Sequence, residues 1–168
     1  MIDHNNFIGG RYSVLSEVGM LPAMLMGLKI DKFRKFNDLV KNKFFLNSII
    51  NSVSNILSLI KKKKSNSIIL NYDEKSLDLF YWYQQLVAES LGKKSKGILP
   101  IVSQMPKDNH SVMQLYLDGP KNNFFTFFDV YNQKSEKIKK SNLLESHFYL
   151  KNKSINEIIL AQRLATEK

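Results

Sequence analysis

Apolar residues recur three or four positions apart in two long segments near the start of the chain, a spacing that predicts amphipathic helices. The first predicted helix covers residues 13–27, and Pro22 is expected to bend it or to mark where it restarts. The second covers residues 42–60, and the lysines at 61–64 place positive charge at its C-terminal end, where the helix dipole favours it. The apolar positions are Val14, Leu15, Val18, Leu21 and Leu25 in the first segment and Phe45, Ile49, Val53, Ile56 and Ile60 in the second.

Three short apolar runs break this helical spacing and predict buried strands at residues 67–72, 97–102 and 123–130. Pro100 limits the pairing of the second run on one side. Helices are predicted between the runs, at residues 75–91 and from about Asp108, and after them at residues 142–150 and 154–166. Strands that alternate with helices indicate an α/β fold, here a three-layer sandwich with a small, mostly parallel sheet.

The final helical segment is followed by neither a capping glycine nor another strand. Three strands also make a small sheet for this fold class. We therefore expect a truncated domain, or one that depends on other chains to cover its sheet.

Length and composition are those of an ordinary globular domain. The 168 residues are enough for one domain with a hydrophobic core, and 43% are apolar while 24% are charged. The absence of cysteine excludes disulfides and thiolate metal sites, and the three histidines have no metal-binding spacing. Apolar stretches are interrupted well short of the roughly 20 residues that a membrane span needs. A soluble, cytoplasmic protein is the expectation.

The formal charge is +10, from 25 Lys and Arg against 15 Asp and Glu. A nucleic-acid-binding domain is one interpretation of that surplus. The positive residues are mostly lysines, in runs at 61–64, 93–94 and 139–140, without the interleaved Arg and exposed aromatics that base stacking requires. Solvated lysine faces are the favoured interpretation, and no nucleic-acid partner is expected. A field that attracts a small anionic substrate is compatible with either.

The first segment that suggests chemistry contains Gly9, Gly10 and Arg11. Paired glycines let the backbone approach a ligand closely, and an arginine directly after them can present a fixed cation to an oxyanion. The alternative is a tight turn into the helix, with Arg11 capping or solvated.

The second segment places Gln85 and Glu89 four residues apart, on one face of a predicted helix. Glu89 falls in the last turn, and Gly92 is the expected stop. A carboxylate at that end opposes the helix dipole, which disfavours its charged form and suits a general base. The alternative is a surface Glu89 paired with Lys93.

The third segment contains His110, preceded by Asp108 and Asn109, either of which suits an N-cap. His110 is then expected in the first turn of the following helix, where the dipole favours a neutral imidazole able to accept or donate a proton. A structural histidine is the alternative.

Taken together, these segments resemble the glucose-6-phosphate isomerase (phosphoglucose isomerase) family in order and spacing, from about residue 7 to residue 166. Residues 7–16 look like that family's glycine-arginine signature. Residues 88–93, with Gly97 and Pro100, look like its catalytic-glutamate segment. His110 and Ser111, with Gln114, Leu115 and Gly119, look like its histidine segment.

The resemblance implies the interconversion of an aldose phosphate and a ketose phosphate through a cis-enediol(ate). It implies that Glu89 shuttles the proton, that Arg11 stabilises the developing oxyanion and that Gly10 approaches the sugar. Gln85 matches a substrate-contacting glutamine. His110 matches a ring-opening histidine that the second subunit of a homodimer supplies. No metal or organic cofactor is implied.

Two parts of the family pattern are absent from the sequence. The Ser/Thr-rich phosphate loop that precedes the glycine-arginine signature is missing, and so is a C-terminal signature with a second ring-opening lysine. Glu17 also stands where the family commonly has a small residue. Residues 1–168 are therefore interpreted as part of the second sugar-isomerase domain, without the first domain and the C-terminal helix, and inactive or nearly so alone. A non-catalytic sugar-phosphate-binding module is the rival interpretation, ahead of a nucleic-acid-binding domain.

Overall fold

The runs predicted as strands form one parallel sheet in the computed structural model, which describes residues 2–131, 135–139 and 143–168. The strands are β1 (Asn66–Asn71), β2 (Leu99–Gln104) and β3 (Asn123–Phe128). β1 is central and pairs in parallel with both neighbours, so the order is β2-β1-β3. Pro100 lies in β2, outermost among the described strands, where a missing N–H is tolerated. The predicted α/β fold with a small parallel sheet is confirmed.

Helices cover the two faces of this sheet, which makes the architecture three-layered. On one face lies α4 (Leu77–Leu91), where the Gln84 Nε2 donates to the Pro100 carbonyl at 2.8 Å and Phe80 packs edge-on against Phe128 at 4.7 Å. On the opposite face lie α5 (Val112–Asp118) and α6 (Ile155–Glu167). Both contribute to the core cluster described next.

The hydrophobic core lies between β1 and the α5–α6 layer. Ile68 and Leu70 of β1, with Tyr72 just after it, point to this side and cluster with Met105 and Tyr116, all buried. Alternation along a strand explains why these three share a face, while Ser67, Ile69 and Asn71 point to the α4 side. The partly buried residues packed against the cluster are Ile101, Val112, Met113, Phe127 and Ile159.

The chain divides into two compact units, Met1–Ser58 and Leu59–Lys168, and the sheet belongs to the second. The first unit begins with a 3₁₀ helix, Gly10–Leu15, followed by α1 (Glu17–Leu25) and α2 (Ile30–Arg34). A second 3₁₀ helix, Lys35–Lys41, leads into α3 (Lys43–Lys61), which ends in the second unit.

α3 is 19 residues long and none of its residues is buried. With a mean hydropathy of 1.2 over eighteen residues, it is the one helix of the described segments whose length and composition would allow a membrane span. A single such helix is weak support for a membrane location. Asn and Ser residues recur between its apolar positions, which is typical of an amphipathic helix.

Several predicted boundaries differ from the structure. The helix expected at residues 13–27 is divided into the first 3₁₀ helix and α1, with the break at Ser16 and with Pro22 inside α1. β2 begins two residues later than predicted because Gly97 adopts a positive φ of 130° and ends the preceding turn. The helix predicted at residues 142–150 is a short 3₁₀ helix, Glu145–Leu150. Residues 140 and 142 of the predicted lysine run and helix lie outside the described residues.

Candidate active site

The glycine-arginine segment forms the first 3₁₀ helix. The Tyr12 amide donates to the Gly9 carbonyl at 2.9 Å, and the buried Ser13 hydroxyl donates to the Gly10 carbonyl at 2.9 Å. A side chain added at Gly10 would meet nothing within 4 Å in the described part of the chain, and its φ is not in the left-handed region. The fold therefore does not itself require glycine there, and open space lies beside the half-buried Arg11.

Glu17, the residue that departs from the family pattern, has a local role. Its carboxylate bonds to the His4 ring and accepts from the Asn5 amide at 3.3 Å, which ties the first residues of the chain to the start of α1. The backbone amide of Glu17 itself, and next the His4 ring, lower the pKa of this carboxyl. The departure is therefore compatible with the turn that carries Arg11.

Gln85 and Glu89 lie four residues apart on α4, and both side chains are exposed. The neighbouring Gln84 is half-buried and bonds to β2, so it fixes α4 on the sheet and leaves Gln85 directed elsewhere. α4 ends at Leu91 with Gly92 as its cap, which confirms the predicted stop. Glu89 is therefore in the last helical turn.

The direction of α4 places Glu89 at the edge of the sheet where the strands begin, the amino edge. Phe80, near the start of α4, contacts the last residue of β3, so α4 runs antiparallel to the strands. At its far end, the ideal Cβ position of Gly97 lies 2.9 Å from the Leu91 carbonyl, which shows how tightly the loop before β2 packs on the helix end.

His110 lies past the opposite edge of the sheet, the carboxyl edge. The prediction that it occupies the first turn of the next helix is wrong: it follows a 3₁₀ turn, Lys107–Asn109, and α5 begins only at Val112. Asp108 is not an N-cap for α5, because its carboxylate accepts from the Ser103 hydroxyl and the Gln104 amide, both at 2.8 Å. These bonds hold the loop that presents an exposed His110.

Glu89 and His110 therefore lie at opposite edges of one sheet. β2 has six residues, so the two edges lie about 17 Å apart. A substrate carbon within hydrogen-bond distance of one side chain is therefore out of reach of the other. Arg11 belongs to the other compact unit. The described part of a single chain does not bring the base and the histidine together.

A cavity of about 330 Å³ lies at the carboxyl ends of β1 and β3, beside α6. Its wall includes Tyr72, whose buried hydroxyl makes no well-aligned hydrogen bond in the described structure. Burial raises the pKa of this phenol, while Thr166 and Arg163 oppose the shift. Arg163 also lies 3.1 Å from Asp129 and donates to Glu167 at 2.9 Å.

These cavity residues belong to none of the three motif segments. The available signal was polar residues directly after two strands, Asp73 after β1 and Asp129 after β3, since carboxyl ends of parallel strands meet at one edge. A second cavity, of about 370 Å³, lies in the first unit between α1 and α2. Neither cavity is lined by Arg11, Glu89 or His110.

The family model for phosphoglucose isomerase matches residues 1–155, a range that includes all three motif segments. The chain belongs to the phosphoglucose isomerase family. Two individual relatives are also similar in sequence. Glucose-6-phosphate isomerase of Methanocaldococcus jannaschii is 37% identical over 130 residues, covering 71% of this chain and 31% of the relative. The enzyme of Mycoplasmopsis pulmonis is 34% identical over 167 residues, covering 95% of this chain and 39% of the relative.

A solved structure of a hypothetical protein from Thermus thermophilus has the same fold. It superposes with a TM-score of 0.79 at 27% identity, covering 96% of this chain and 41% of that protein. The chain thus spans between about a third and two fifths of the length of the relatives it matches. Membership of the family explains the fold and the order of the motifs. The activity of the longer relatives is proposed for this chain below.

Proposed function

We propose that this chain supplies a large part of a glucose-6-phosphate isomerase active site, which interconverts glucose 6-phosphate and fructose 6-phosphate in glycolysis and gluconeogenesis. The observation that carries the proposal is that the family match covers all three motif segments in one stretch. The reaction moves a proton between adjacent carbons through a cis-enediol(ate), and no cofactor enters this scheme. A cytoplasmic location is part of the proposal.

Glu89 is the proposed base. It is exposed in the last turn of α4, so a substrate can approach it from the amino edge of the sheet. Gln85 is exposed one turn earlier on the same face, where it can donate to a sugar hydroxyl. General bases positioned within hydrogen-bond reach of a proton typically accelerate its transfer by roughly 10²–10⁴-fold.

Arg11 is the proposed electrostatic partner of the enediolate oxygen. A guanidinium that is fixed before the reaction stabilises developing negative charge without reorganisation, and this effect is strongest away from water. The open space beside Gly10 supports an approach of the sugar to this turn.

His110 is proposed to act in the active site of a second subunit, as the ring-opening group. The separation of His110 and Glu89 across the sheet supports this arrangement, since one bound sugar cannot contact both side chains of one chain. In a two-fold symmetric dimer, each Glu89 would meet the partner's His110, and two equivalent sites would form.

The chain alone is predicted to be inactive or nearly so. Without the family's phosphate loop it lacks remote binding energy that positions the sugar for proton transfer. A coupled assay of fructose 6-phosphate formation on the purified chain should show turnover far below that of the Methanocaldococcus jannaschii enzyme. Turnover close to that of the relative would contradict this prediction.

A segment-swapped enzyme tests the function itself. The matching segment of the Methanocaldococcus jannaschii enzyme is replaced by this chain's residues, and the folded product is assayed for isomerisation. We expect activity that Glu89→Gln reduces by at least about 10²-fold, whereas Glu74→Gln, which removes an exposed carboxylate at the other edge, leaves it unchanged. A folded product that binds fructose 6-phosphate without converting it would favour the rival function of a non-catalytic sugar-phosphate-binding module.

A further inference from the structure

All three segments that lead into the strands contain lysine, and the first two are rich in it. Residues 61–64 precede β1, residues 93–96 precede β2, and Lys121 precedes β3. Because the strands are parallel, their amino ends meet at one edge of the sheet, and the three segments meet there too. The eight lysines are Lys61, Lys62, Lys63, Lys64, Lys93, Lys94, Lys96 and Lys121, and all but the half-buried Lys64 are exposed.

Hydrogen bonds hold these segments side by side. The Leu99 amide donates to the Ser65 carbonyl at 2.8 Å, and the Asn66 amide donates to the Asn122 carbonyl at 3.1 Å. The Lys64 ammonium bonds to the Lys121 carbonyl, so the loops before β1 and β3 are also linked through a side chain. The lysines are therefore presented together by ordered backbone rather than by a single flexible run.

The lysine segments border the candidate base. Glu89 lies four residues before Lys93, at the same amino edge. After Lys93 the chain turns back on itself and forms an antiparallel bridge between Lys93 and Lys96. The opposite edge carries both signs of charge, since Asp73, Glu74 and Asp129 follow the strands there and Lys75 and Lys107 lie in the same segments. Positive charge is thus concentrated at the edge that carries Glu89.

An amino edge of this kind is ordinarily unfavourable for anions. α3, α4 and α5 all end there, and helix C-termini carry partial negative charge. Glu89 and Asp118 add further negative charge. The eight lysines outnumber these negative charges, and a concentration of one charge sign raises the local concentration and association rate of oppositely charged ligands.

We propose that these eight lysines form an anion-attracting edge that draws the phosphorylated substrate to the side of the sheet that carries Glu89. The inference rests on the proposed function for its choice of ligand, a phosphorylated sugar. It assigns a role to the positive charge that the solvated-face interpretation leaves without one. The competing explanation is that Lys61 to Lys64 only complement the C-terminal dipole of α3.

The test is a chemical-shift titration of the full 168-residue chain with fructose 6-phosphate, with unphosphorylated fructose as the neutral probe. We expect amide shifts in residues 61–64, 93–96 and 121 with the phosphorylated sugar only. Binding should weaken steeply as salt rises, because exposed charges are screened beyond roughly 10 Å at 0.1 M ionic strength. Equal responses to both sugars, or shifts confined to other segments, would overturn the inference.

Two triple variants distinguish the effect of the anion-attracting edge from the effect of net charge alone. Lys61→Gln with Lys62→Gln and Lys63→Gln should weaken binding of fructose 6-phosphate about tenfold at low salt, and far less at high salt. Lys137→Gln with Lys139→Gln and Lys151→Gln removes the same charge from segments that precede α6 and should have little effect. If both variants weaken binding equally, net charge alone explains the binding, which would contradict the proposal.

A titration with a short single-stranded oligonucleotide tests the alternative of a nucleic-acid-binding surface. Salt-sensitive binding of the oligonucleotide without binding of fructose 6-phosphate would replace the proposal with a nucleic-acid surface. Failure of the isomerase function is distinguishable, because it is read from turnover of the segment-swapped enzyme. An active swapped enzyme combined with an isolated chain that shows no lysine-dependent binding would reject this inference alone.

Discussion

Gly10 and Gly97 differ in what constrains them, although both belong to segments of the candidate site. Gly97 adopts a φ of 130°, and a side chain there would approach the Leu91 carbonyl to 2.9 Å. Gly10 has neither restriction, and open space lies where its side chain would be. The structure therefore requires glycine at residue 97, whereas glycine at residue 10 is compatible with a role toward substrate.

Gly97→Ala should destabilise the chain by about 1–3 kcal/mol, because a backbone conformation that L-residues rarely adopt has to be maintained beside a packed carbonyl. Gly10→Ala is the control and should leave the free energy of unfolding within about 0.5 kcal/mol. Urea denaturation followed by circular dichroism measures both. A Gly10→Ala variant as unstable as Gly97→Ala would show that the fold, and not substrate, requires this glycine.

Burial of the Tyr72 side chain makes the stability of the protein sensitive to alkali. Because burial raises its folded-state pKa, the phenol contributes stability that is present below its usual pKa of 10.0 and is lost as the pH rises through the folded value. Tyr72→Phe should retain that stability in alkali, so the variant should unfold at a higher temperature than the parent above a pH of about 10. Equal alkaline melting curves would contradict the assignment.

At the scale of elements, the strands and long helices follow directly from apolar spacing, since residues 67–72 and 75–91 are predicted within two residues of β1 and α4. Short elements do not. The position of His110 depends on Asp108 bonding back to Ser103, a contact that no local pattern distinguishes from helix capping. The opposite placement of Glu89 and His110 follows from strand direction, which becomes explicit only once the parallel pairing is known.

α6 has an N-terminal capping box that makes its stability sensitive to acid. The Ser154 hydroxyl accepts from the Glu157 amide at 3.2 Å, and the Ser154 amide donates to the Glu157 carboxylate at 2.7 Å. The backbone amide of Ser154, and next its hydroxyl, lower the pKa of Glu157 below its usual 4.5. The stabilisation is therefore present above that pH and is lost as the pH falls through the lowered value.

Glu157→Gln should consequently reduce thermal stability at neutral pH, and the difference from the parent should shrink as the pH falls below 4.5. Glu136→Gln, an exposed carboxylate outside any described helix, is the matched control and should shift the melting temperature little at either pH. Melting curves at about pH 7 and about pH 3 provide the comparison. A stability difference that grows toward acid would contradict the capping role.

At the scale of the whole molecule, the sheet separates the proposed base from the proposed ring-opening histidine. Its amino edge carries Glu89 and eight lysines, and its carboxyl edge carries His110 and residues of both charge signs. A sugar bound at one edge of one chain is out of reach of the group at the other. The proposed reaction therefore needs two chains, with a base and a histidine from different subunits in each site.

Mixing two inactive variants of the segment-swapped enzyme tests that claim most directly. Glu89→Gln and His110→Ala are purified separately, combined in equal amounts, dissociated, reassembled and assayed for isomerisation. Random two-fold assembly places one intact site in half of the dimers, so the account predicts recovery of about a quarter of the parent activity. Recovery no greater than the average of the two separate variants would contradict a site divided between subunits.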